Sequence, residues 1–210
     1  MQLEQSTFDC IRGSKGAVHA PDTVLYLQNS VASSVILVER GLLKLTRIGM
    51  NGVETIIALR GPGSVAGAEE AISGERYVAT AVTAMETSIR EAAGGAYIQA
   101  LRQDPALLLQ IHRLVGMEGV LALRHAGRLG GDAAKCRLLS FLAESIPRDC
   151  EAGYRFRIPI RDWELAQFLA ITPWHLSRLF RDVLSLGAFC RRGRWITVRD
   201  PSFLRSYINF

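Results

Sequence analysis

Between residues 15 and 91, hydrophobic and polar positions alternate in short runs, which is the pattern of half-buried β-strands. Val35–Val38 is a continuous run of branched and aliphatic residues, as expected for a strand with little polar surface. Asn51-Gly52 is a strong hairpin signal, and Gly61-Pro62-Gly63 marks a further turn. Short strands separated by glycine-rich turns predict a small double-sheet barrel of the jelly-roll type.

The pattern becomes helical after Gly95, and Asp104-Pro105 predicts the start of a long helix. Two apolar seams run along it: Ile111, Leu114, Glu118, Leu121 and His125, and then His112, Val115, Gly119, Ala122 and Ala126. A helix with apolar residues on two faces needs cover on two sides, and small residues allow close approach of a second helix. We interpret residues 105–128 as a dimerisation helix. The alternative is an amphipathic helix packed on its own domain alone.

Residues 162–181 read as two short helices joined by a tight turn. Leu165, Ala166 and Leu169 have helical spacing, and Thr172-Pro173 pairs an N-cap hydroxyl with a proline at the first helical position. The second helix then has a buried stripe of Leu176, Leu179, Phe180 and Val183 and an outer face of Trp174, Ser177, Arg178 and Arg181. This spacing predicts a helix-turn-helix whose second helix can enter a DNA major groove. An ordinary helical hairpin within a core is the alternative.

Residues 188–198 predict a β-hairpin that turns at Arg192-Gly193, with Arg191, Arg192 and Arg194 at its tip. Such a hairpin behind a helix-turn-helix would be a wing whose arginines reach phosphates. The predicted fold is therefore α+β: a jelly-roll barrel, a long helix and a winged helix-turn-helix. We place the domains at 1–103, 104–130 and 131–210, with a hinge at Gly130-Gly131-Asp132 and Asp132 as the cap of the next helix.

Charge is concentrated where the helix-turn-helix is predicted. The 210-residue chain has a net charge of +5, whereas residues 154–199 hold nine arginines and three acidic residues, a net +6. A basic segment that coincides with such a motif indicates binding to a phosphate backbone. No uninterrupted apolar run reaches the roughly 20 residues of a membrane span, and the N-terminus lacks a signal-peptide pattern. We therefore expect a cytoplasmic protein with no membrane partner.

The cysteines and histidines show no metal-ligand spacing. Cys10, Cys136, Cys150 and Cys190 are far apart in sequence, so we expect reduced thiols, no metal site and no cofactor. Neither a nucleophile–base pair nor a pair of catalytic carboxylates is evident, which argues against an enzyme. Cys136 and Cys190 lie near the hinge and the wing, so either inert thiols or redox coupling remains open.

A possible effector site lies in residues 63–80. A short helix over Ala68–Ile72 opens after Gly67, and a glycine before a helix N-terminus can cradle an anion. Arg76 follows closely enough to supply a charge to the same anion. An ordinary turn has the same sequence pattern, so the signal is weak.

In order along the chain, these elements resemble the CRP/FNR family of bacterial transcription regulators. The resemblance covers about residues 15–205 and rests on LAQFLAITPWHLSRLF, GLLKLTRIGMNGVETI and LRGPGSVAGAEEAISGERYVATA. It implies a homodimer on a palindromic DNA site, RNA polymerase as a possible partner, and a barrel that can sense a small-molecule effector. The DNA-contacting candidates are Thr172, Trp174, His175, Ser177, Arg178, Arg181, Arg191, Arg192 and Arg194.

Departures from the family pattern change what we expect of each site. Family members often carry glutamate where this chain has Trp174, and an indole cannot accept a hydrogen bond from cytosine, so we expect an unusual half-site unless Trp174 is buried. The effector-pocket candidates are Gly67, Glu69, Arg76 and Tyr77; the expected Gly-Glu pair is Gly67-Ala68, and Tyr77 would crowd the pocket. We expect no cyclic AMP binding, and, with Cys10 as the one cysteine near the N-terminus, no iron–sulfur cluster. A ligand-binding module that docks on proteins through its helical end is the competing hypothesis.

Overall fold

The computed structural model describes residues 13–147 and 149–207. Within them lie eleven strands and seven helices. The chain divides into two compact units between Leu123 and Arg124, which is inside the long helix. Cys10 lies outside the described residues.

The N-terminal unit is built on two four-stranded antiparallel sheets that form a barrel-like pair. The strands are β1 (Lys15–His19), β2 (Val24–Tyr26), β3 (Ser34–Arg40), β4 (Leu43–Ile48), β5 (Glu54–Arg60), β6 (Val65–Ala66), β7 (Thr80–Thr83) and β8 (Thr87–Ala93). The sheet orders are β1-β8-β3-β6 and β2-β7-β4-β5. The predicted hairpin at Asn51-Gly52 is confirmed, because β4 and β5 pair across it.

Strand β3 is buried on both faces, which explains why its sequence is apolar without alternation. Ile36 and Val38 join a core cluster with Leu43 and Ile89 of the barrel interior. The intervening Val35 and Leu37 point the other way, into a second cluster that includes helical residues. Since successive strand residues face opposite sides, a strand covered on both faces is apolar throughout.

Two helices, α1 (Ala68–Ser73) and α2 (Gly94–Gln103), and the first part of the long helix α3 (Pro105–Gly131), as far as Leu123, complete this unit. The Asp104 carboxylate accepts hydrogen bonds from the backbone N–H of Ala106 and Leu107, so the predicted start of the long helix is confirmed. One face of α3 packs on the sheet β1-β8-β3-β6 and on α1 and α2 through Leu107, Ile111 and Leu114. Among the described residues, α3 alone is long and apolar enough, by length and composition, to cross a membrane.

The C-terminal unit contains α4 (Ala134–Glu144), β9 (Arg155–Arg157), α5 (Asp162–Phe168), α6 (Pro173–Leu184), β10 (Phe189–Arg192), β11 (Trp195–Val198) and α7 (Pro201–Arg205). Strands β10, β11 and β9 form a three-stranded sheet in that order. The residue before α4 is Ala133, whose side chain cannot cap, so the expected cap at Asp132 is wrong. Instead the Asp132 carbonyl accepts a hydrogen bond from Arg137. The apolar residues predicted on α4, such as Leu138 and Leu142, are buried.

Candidate nucleic-acid interface

Helices α5 and α6 meet through a four-residue turn, residues 169–172. Thr172 caps α6: its hydroxyl accepts a hydrogen bond from the His175 N–H at 3.2 Å, and Pro173 occupies the first turn. In the turn, the Ile171 N–H donates to the Ala166 carbonyl, and Ala170 has a φ of +50°. The predicted turn and helix start are confirmed, but the sequence did not indicate the left-handed alanine.

Helix α6 divides into a buried and an exposed face as the spacing predicted. Leu176, Leu179, Phe180 and Val183 are buried, and Thr172, Trp174, Ser177, Arg178 and Arg181 are exposed, with His175 half-buried. Trp174 is 70% exposed, so the alternative that it packs against a neighbour does not hold within the C-terminal unit. The Ser177 hydroxyl donates to the Pro173 carbonyl at 3.1 Å, and its side chain is exposed. The outer face therefore offers two guanidinium groups, one indole N–H and two hydroxyls.

Arg137 holds the turn in place, and sequence reasoning missed it. From α4 its guanidinium donates to the Leu169 carbonyl at 2.9 Å and to the Asp132 carbonyl at 2.6 Å. One side chain thus ties the end of α5 to the start of α4. The nearest of these partners, Asp132, is five residues away and the other is 32 residues away, so no local pattern indicates the contact.

The predicted hairpin is confirmed as β10 and β11, but its arginines differ in exposure and in their contacts. Arg191 was expected at an outer tip; instead its side chain is 14% exposed and faces the inner side of the sheet. Its guanidinium donates two 2.6 Å hydrogen bonds to the Asp162 carboxylate and lies 3.9 Å from the centroid of the Phe180 ring. Strand alternation is the cause: Arg191 shares a face with buried Phe189, and Arg192 takes the opposite one.

The outer face of this sheet is basic and aromatic. Arg192 is exposed and pairs across the hairpin with Trp195, whose other strand neighbour is Arg157. The Arg155 guanidinium lies over the Trp195 ring at 5.4 Å from the centroid. Arg194 is half-buried. Trp195, Arg155 and Arg157 were not among the predicted contacts, although their alternation along β9 and β11 could have placed them there.

The predicted effector residues lie around the turn at Gly67, where Tyr77 is packed closely against the glycine. Gly67 has a φ of +80°, and a Cβ at this position would lie 2.8 Å from a ring carbon of Tyr77. Tyr77 is buried, stacks on Tyr26 with 3.7 Å between ring centroids, and donates its hydroxyl to the Ser34 carbonyl at 2.6 Å. The Tyr77 ring therefore occupies the space beside the turn at Gly67, which is where the sequence predicts that it would crowd the pocket.

The charged members of the predicted pocket are turned to other partners. Arg76 is exposed and donates to the Asn29 carbonyl at 2.8 Å, while Glu69 lies 3.9 Å from Arg60. Helix α1 has six residues, too few for a strong N-terminal dipole. The neighbouring Glu70, which sequence reasoning did not single out, is buried and accepts a hydrogen bond from the Val78 N–H. The effector pocket stays a prediction, and its two charged members, Arg76 and Glu69, each have a partner within the unit.

The long helix α3 has an apolar face that the N-terminal unit leaves uncovered. Of the first predicted seam, Ile111, Leu114 and Glu118 are buried, whereas Leu121 is 50% exposed. Most of the second seam is exposed, and so are Leu108, Leu109, Met117, Val120 and Leu123. Few helices of a soluble unit expose this many large apolar residues without a partner.

No group of His, Cys, Asp and Glu side chains that could hold a metal ion occurs within residues 13–147 and 149–207. The described cysteines, Cys136, Cys150 and Cys190, are free thiols, and Cys150 is buried.

Comparison with known proteins agrees with this geometry. Residues 18–104 match the profile of the cyclic nucleotide-binding domain. No curated protein sequence matches the chain. This part of the N-terminal unit is therefore similar to a cyclic nucleotide-binding domain.

Solved structures extend the likeness to nearly the whole chain. FixK2 from Bradyrhizobium japonicum superposes with a TM-score of 0.82 at 24% identity, over 92% of this chain and 96% of that one. A CooA mutant from Carboxydothermus hydrogenoformans gives 0.77 at 19% identity, over 95% and 90%. A CRP-family transcriptional regulator from Thermus thermophilus, TTHB099, gives 0.72 at 20% identity, over 92% and 97%. The chain has the fold of the CRP/FNR transcription regulators, and the resemblance indicated by the sequence is confirmed at that level.

Proposed function

We propose that the protein is a sequence-specific DNA-binding transcription regulator that acts as a homodimer on a two-fold symmetric site. In this proposal α5, α6 and the β10–β11 hairpin form a winged helix-turn-helix, and α6 is the recognition helix. The observation that carries the proposal is the exposed polar and basic face of α6, held by a fully apolar inner face. A helix presented in this way fits the width of the B-DNA major groove.

Each exposed residue of α6 then has a role set by its chemistry. Arg178 can form the bidentate pair with guanine, and Thr172 and Ser177 can bind either a base edge or the backbone. Trp174 offers an apolar contact, for example to a thymine methyl, and one N–H donor. The half-site should therefore differ from that of family members in which a glutamate at this position accepts a hydrogen bond from cytosine. Arg181, together with Arg192 and Arg194 of the wing, supplies phosphate contacts, while Arg191 positions the wing.

The exposed face of α3 supports the homodimer. Its large apolar residues and the small residues Gly119, Ala122 and Ala126 would let two α3 helices pack closely. We place the interface within residues 105–128. The same interface covers the apolar surface that would otherwise suit a membrane, in accord with a cytoplasmic, non-enzymatic regulator that contacts RNA polymerase.

Regulation does not depend on cyclic AMP or on an iron–sulfur cluster in this proposal. Tyr77 fills the space beside the glycine turn, and Arg76 is engaged with the Asn29 carbonyl. An effector of another class, or a dimer that binds DNA without any ligand, is consistent with this arrangement.

Fluorescence anisotropy with a labelled palindromic duplex tests the DNA-binding role through Arg178→Ala. The matched control is Arg102→Ala, which removes the same charge from an exposed position on α2. Each half-site loses one bidentate base contact worth about 1–3 kcal/mol, so the dimer loses about 2–6 kcal/mol and its affinity for the specific duplex should fall at least roughly 30-fold. Equal affinities of the two variants would contradict the proposal and favour the ligand-binding module.

A further inference from the structure

A buried carboxylate joins the long helix to the barrel. Glu118 of α3 has a side chain that is 5% exposed, and one of its oxygens accepts a hydrogen bond from the Val65 N–H of β6 at 3.3 Å. Its other oxygen lies 3.5 Å from Nε of Arg60 on β5, whose side chain is 12% exposed. Glu118 occupies a position in an otherwise apolar seam, where burial of a charge is costly.

The groups that face Glu118 compensate its charge only in part. Arg60 on β5 is the cation, the Ser64 hydroxyl donates a hydrogen bond, and Glu69 on α1 adds a like charge. The Tyr97 hydroxyl on α2 lies within its electrostatic reach. Within the described residues, neither Oε2 of Glu118, which is the oxygen next to Arg60, nor Nε of Arg60 makes a hydrogen bond. Burial, which outweighs the attraction of Arg60, raises the pKa of the Glu118 carboxyl to about 7.

Arg60 has two carboxylates within reach, and they belong to different elements. Oε2 of Glu118 on α3 lies 3.5 Å from Nε of Arg60, and Oε1 of Glu69 on α1 lies 3.9 Å from Nη2 of the same guanidinium. When Glu118 is charged, Arg60 links β5 to the long helix. When Glu118 is neutral, Glu69 is the charged partner that remains, and Arg60 links β5 to α1. The guanidinium thus has two discrete pairings that proton uptake can exchange.

We propose that the proton is an effector of this protein: uptake of one proton by Glu118 releases Arg60 to Glu69 and removes the buried charge from between α3 and the barrel, which stabilises the packing of α3 by more than the lost ion pair costs. The regulatory consequence rests on the proposed function, because α3 carries the proposed dimer interface. The proton comes from solvent and binds the carboxylate oxygen next to Arg60, so that no other bond changes. In this proposal the form that dimerises is the one with α3 packed on the barrel, so acid favours the dimer and its binding to DNA, and alkali weakens both.

The direction follows from linkage. An unfolded glutamate has its ordinary pKa near 4.5, so between about pH 4.5 and pH 7 the folded chain binds more protons at Glu118 than the unfolded chain does. The stabilisation is fully present below the lower value and is lost as pH rises through the upper one. Glu118→Gln keeps the shape and removes the titration, so it should hold the acid-form behaviour at every pH.

The test measures the dimer dissociation constant of the full chain by analytical ultracentrifugation from pH 5.5 to pH 8.5. We expect the wild-type constant to rise roughly tenfold across this range, as is typical of linked equilibria, and that of Glu118→Gln to stay flat. His19→Gln, which replaces a histidine on β1, is the control and should keep the wild-type profile. A pH dependence that survives in Glu118→Gln, or that is abolished by His112→Gln instead, would overturn the proposal.

A second readout separates failure of this inference from failure of the proposed function. Carbon-13 NMR of glutamate-labelled protein gives the Glu118 carboxyl pKa directly, with Glu118→Gln identifying the signal. A value near 7 supports the proton site even if the chain proves monomeric or fails to bind DNA. A value near 4.5 overturns the proton site while leaving the proposed regulator intact.

Discussion

Replacement of Arg191 by alanine distinguishes a structural role from a phosphate contact. The sequence placed Arg191 beside Arg192 at the wing tip, whereas its guanidinium is bound to Asp162 and covers the Phe180 ring. In Arg191→Ala the wing loses its connection to the start of α5 and to α6. The matched change Arg192→Ala removes the same charge from the outer face of the same strand.

The expected cost comes from three contacts. The two hydrogen bonds to Asp162 are short, but that carboxylate is 50% exposed, so solvent screening limits the pair to about 1 kcal/mol. Stacking on Phe180 adds roughly 0.5–1 kcal/mol, and the hydrogen bond from Nε to the Gly193 carbonyl adds a few tenths more. The free energy of unfolding of the C-terminal unit should therefore fall by about 2 kcal/mol.

Urea unfolding followed by tryptophan fluorescence measures this change, because Trp163, Trp174 and Trp195 all lie in the C-terminal unit. Arg192→Ala should alter stability by less than about 0.5 kcal/mol. In DNA binding, Arg192→Ala should lower the salt dependence by about one counterion per protomer, and Arg191→Ala should leave it unchanged. Unchanged stability of Arg191→Ala together with a reduced salt dependence would refute the structural role.

Three further outcomes follow from single residues. Ala170→Gly should raise the free energy of unfolding by about 1 kcal/mol in urea titrations, because glycine tolerates the positive φ at this turn. Trp174→Glu should leave stability unchanged and alter one position of the half-site recovered from random duplexes, where a cytosine amino group can now be accepted. Burial lowers the pKa of His125, which stacks on Phe168, so the C-terminal unit should lose stability as pH falls below about 6.5. In His125→Gln, the free energy of unfolding measured by tryptophan fluorescence should no longer fall as pH decreases below about 6.5. An unchanged loss of stability in acid would contradict the assignment of this effect to His125.

The sequence alone was sufficient to predict those features of the fold that depend on residues close together in the chain. Thr172-Pro173 indicates the start of α6 because a cap and a proline act within one turn, and the spacing of Leu176 and Val183 defines its buried face. The Asn51-Gly52 hairpin follows from the backbone geometry of two residues. For the same reason the order of barrel, long helix and C-terminal unit could be read from the chain.

Contacts between distant residues were beyond such rules. Arg137 binds a carbonyl 32 residues away, and Glu118 meets the backbone of Val65 across 53 residues. The sequence does show that Glu118 lies in an otherwise apolar seam, which indicates a buried charge that needs a partner. It does not indicate that this partner is Arg60, which lies far away in the chain. Arg191 is different, since the alternation of β10 already placed it on the inner face once the strand bounds were known.

Selection of bound sequences from a random duplex pool tests the central claim most directly. Purified full-length protein is used with no added ligand, at pH 6 and at pH 8, with Arg178→Ala treated in parallel. The account predicts that the wild type recovers a palindrome, more strongly at pH 6, and that Arg178→Ala loses preference at one position in each half-site. Enrichment no greater than that of Arg178→Ala at both pH values would contradict a sequence-specific regulator.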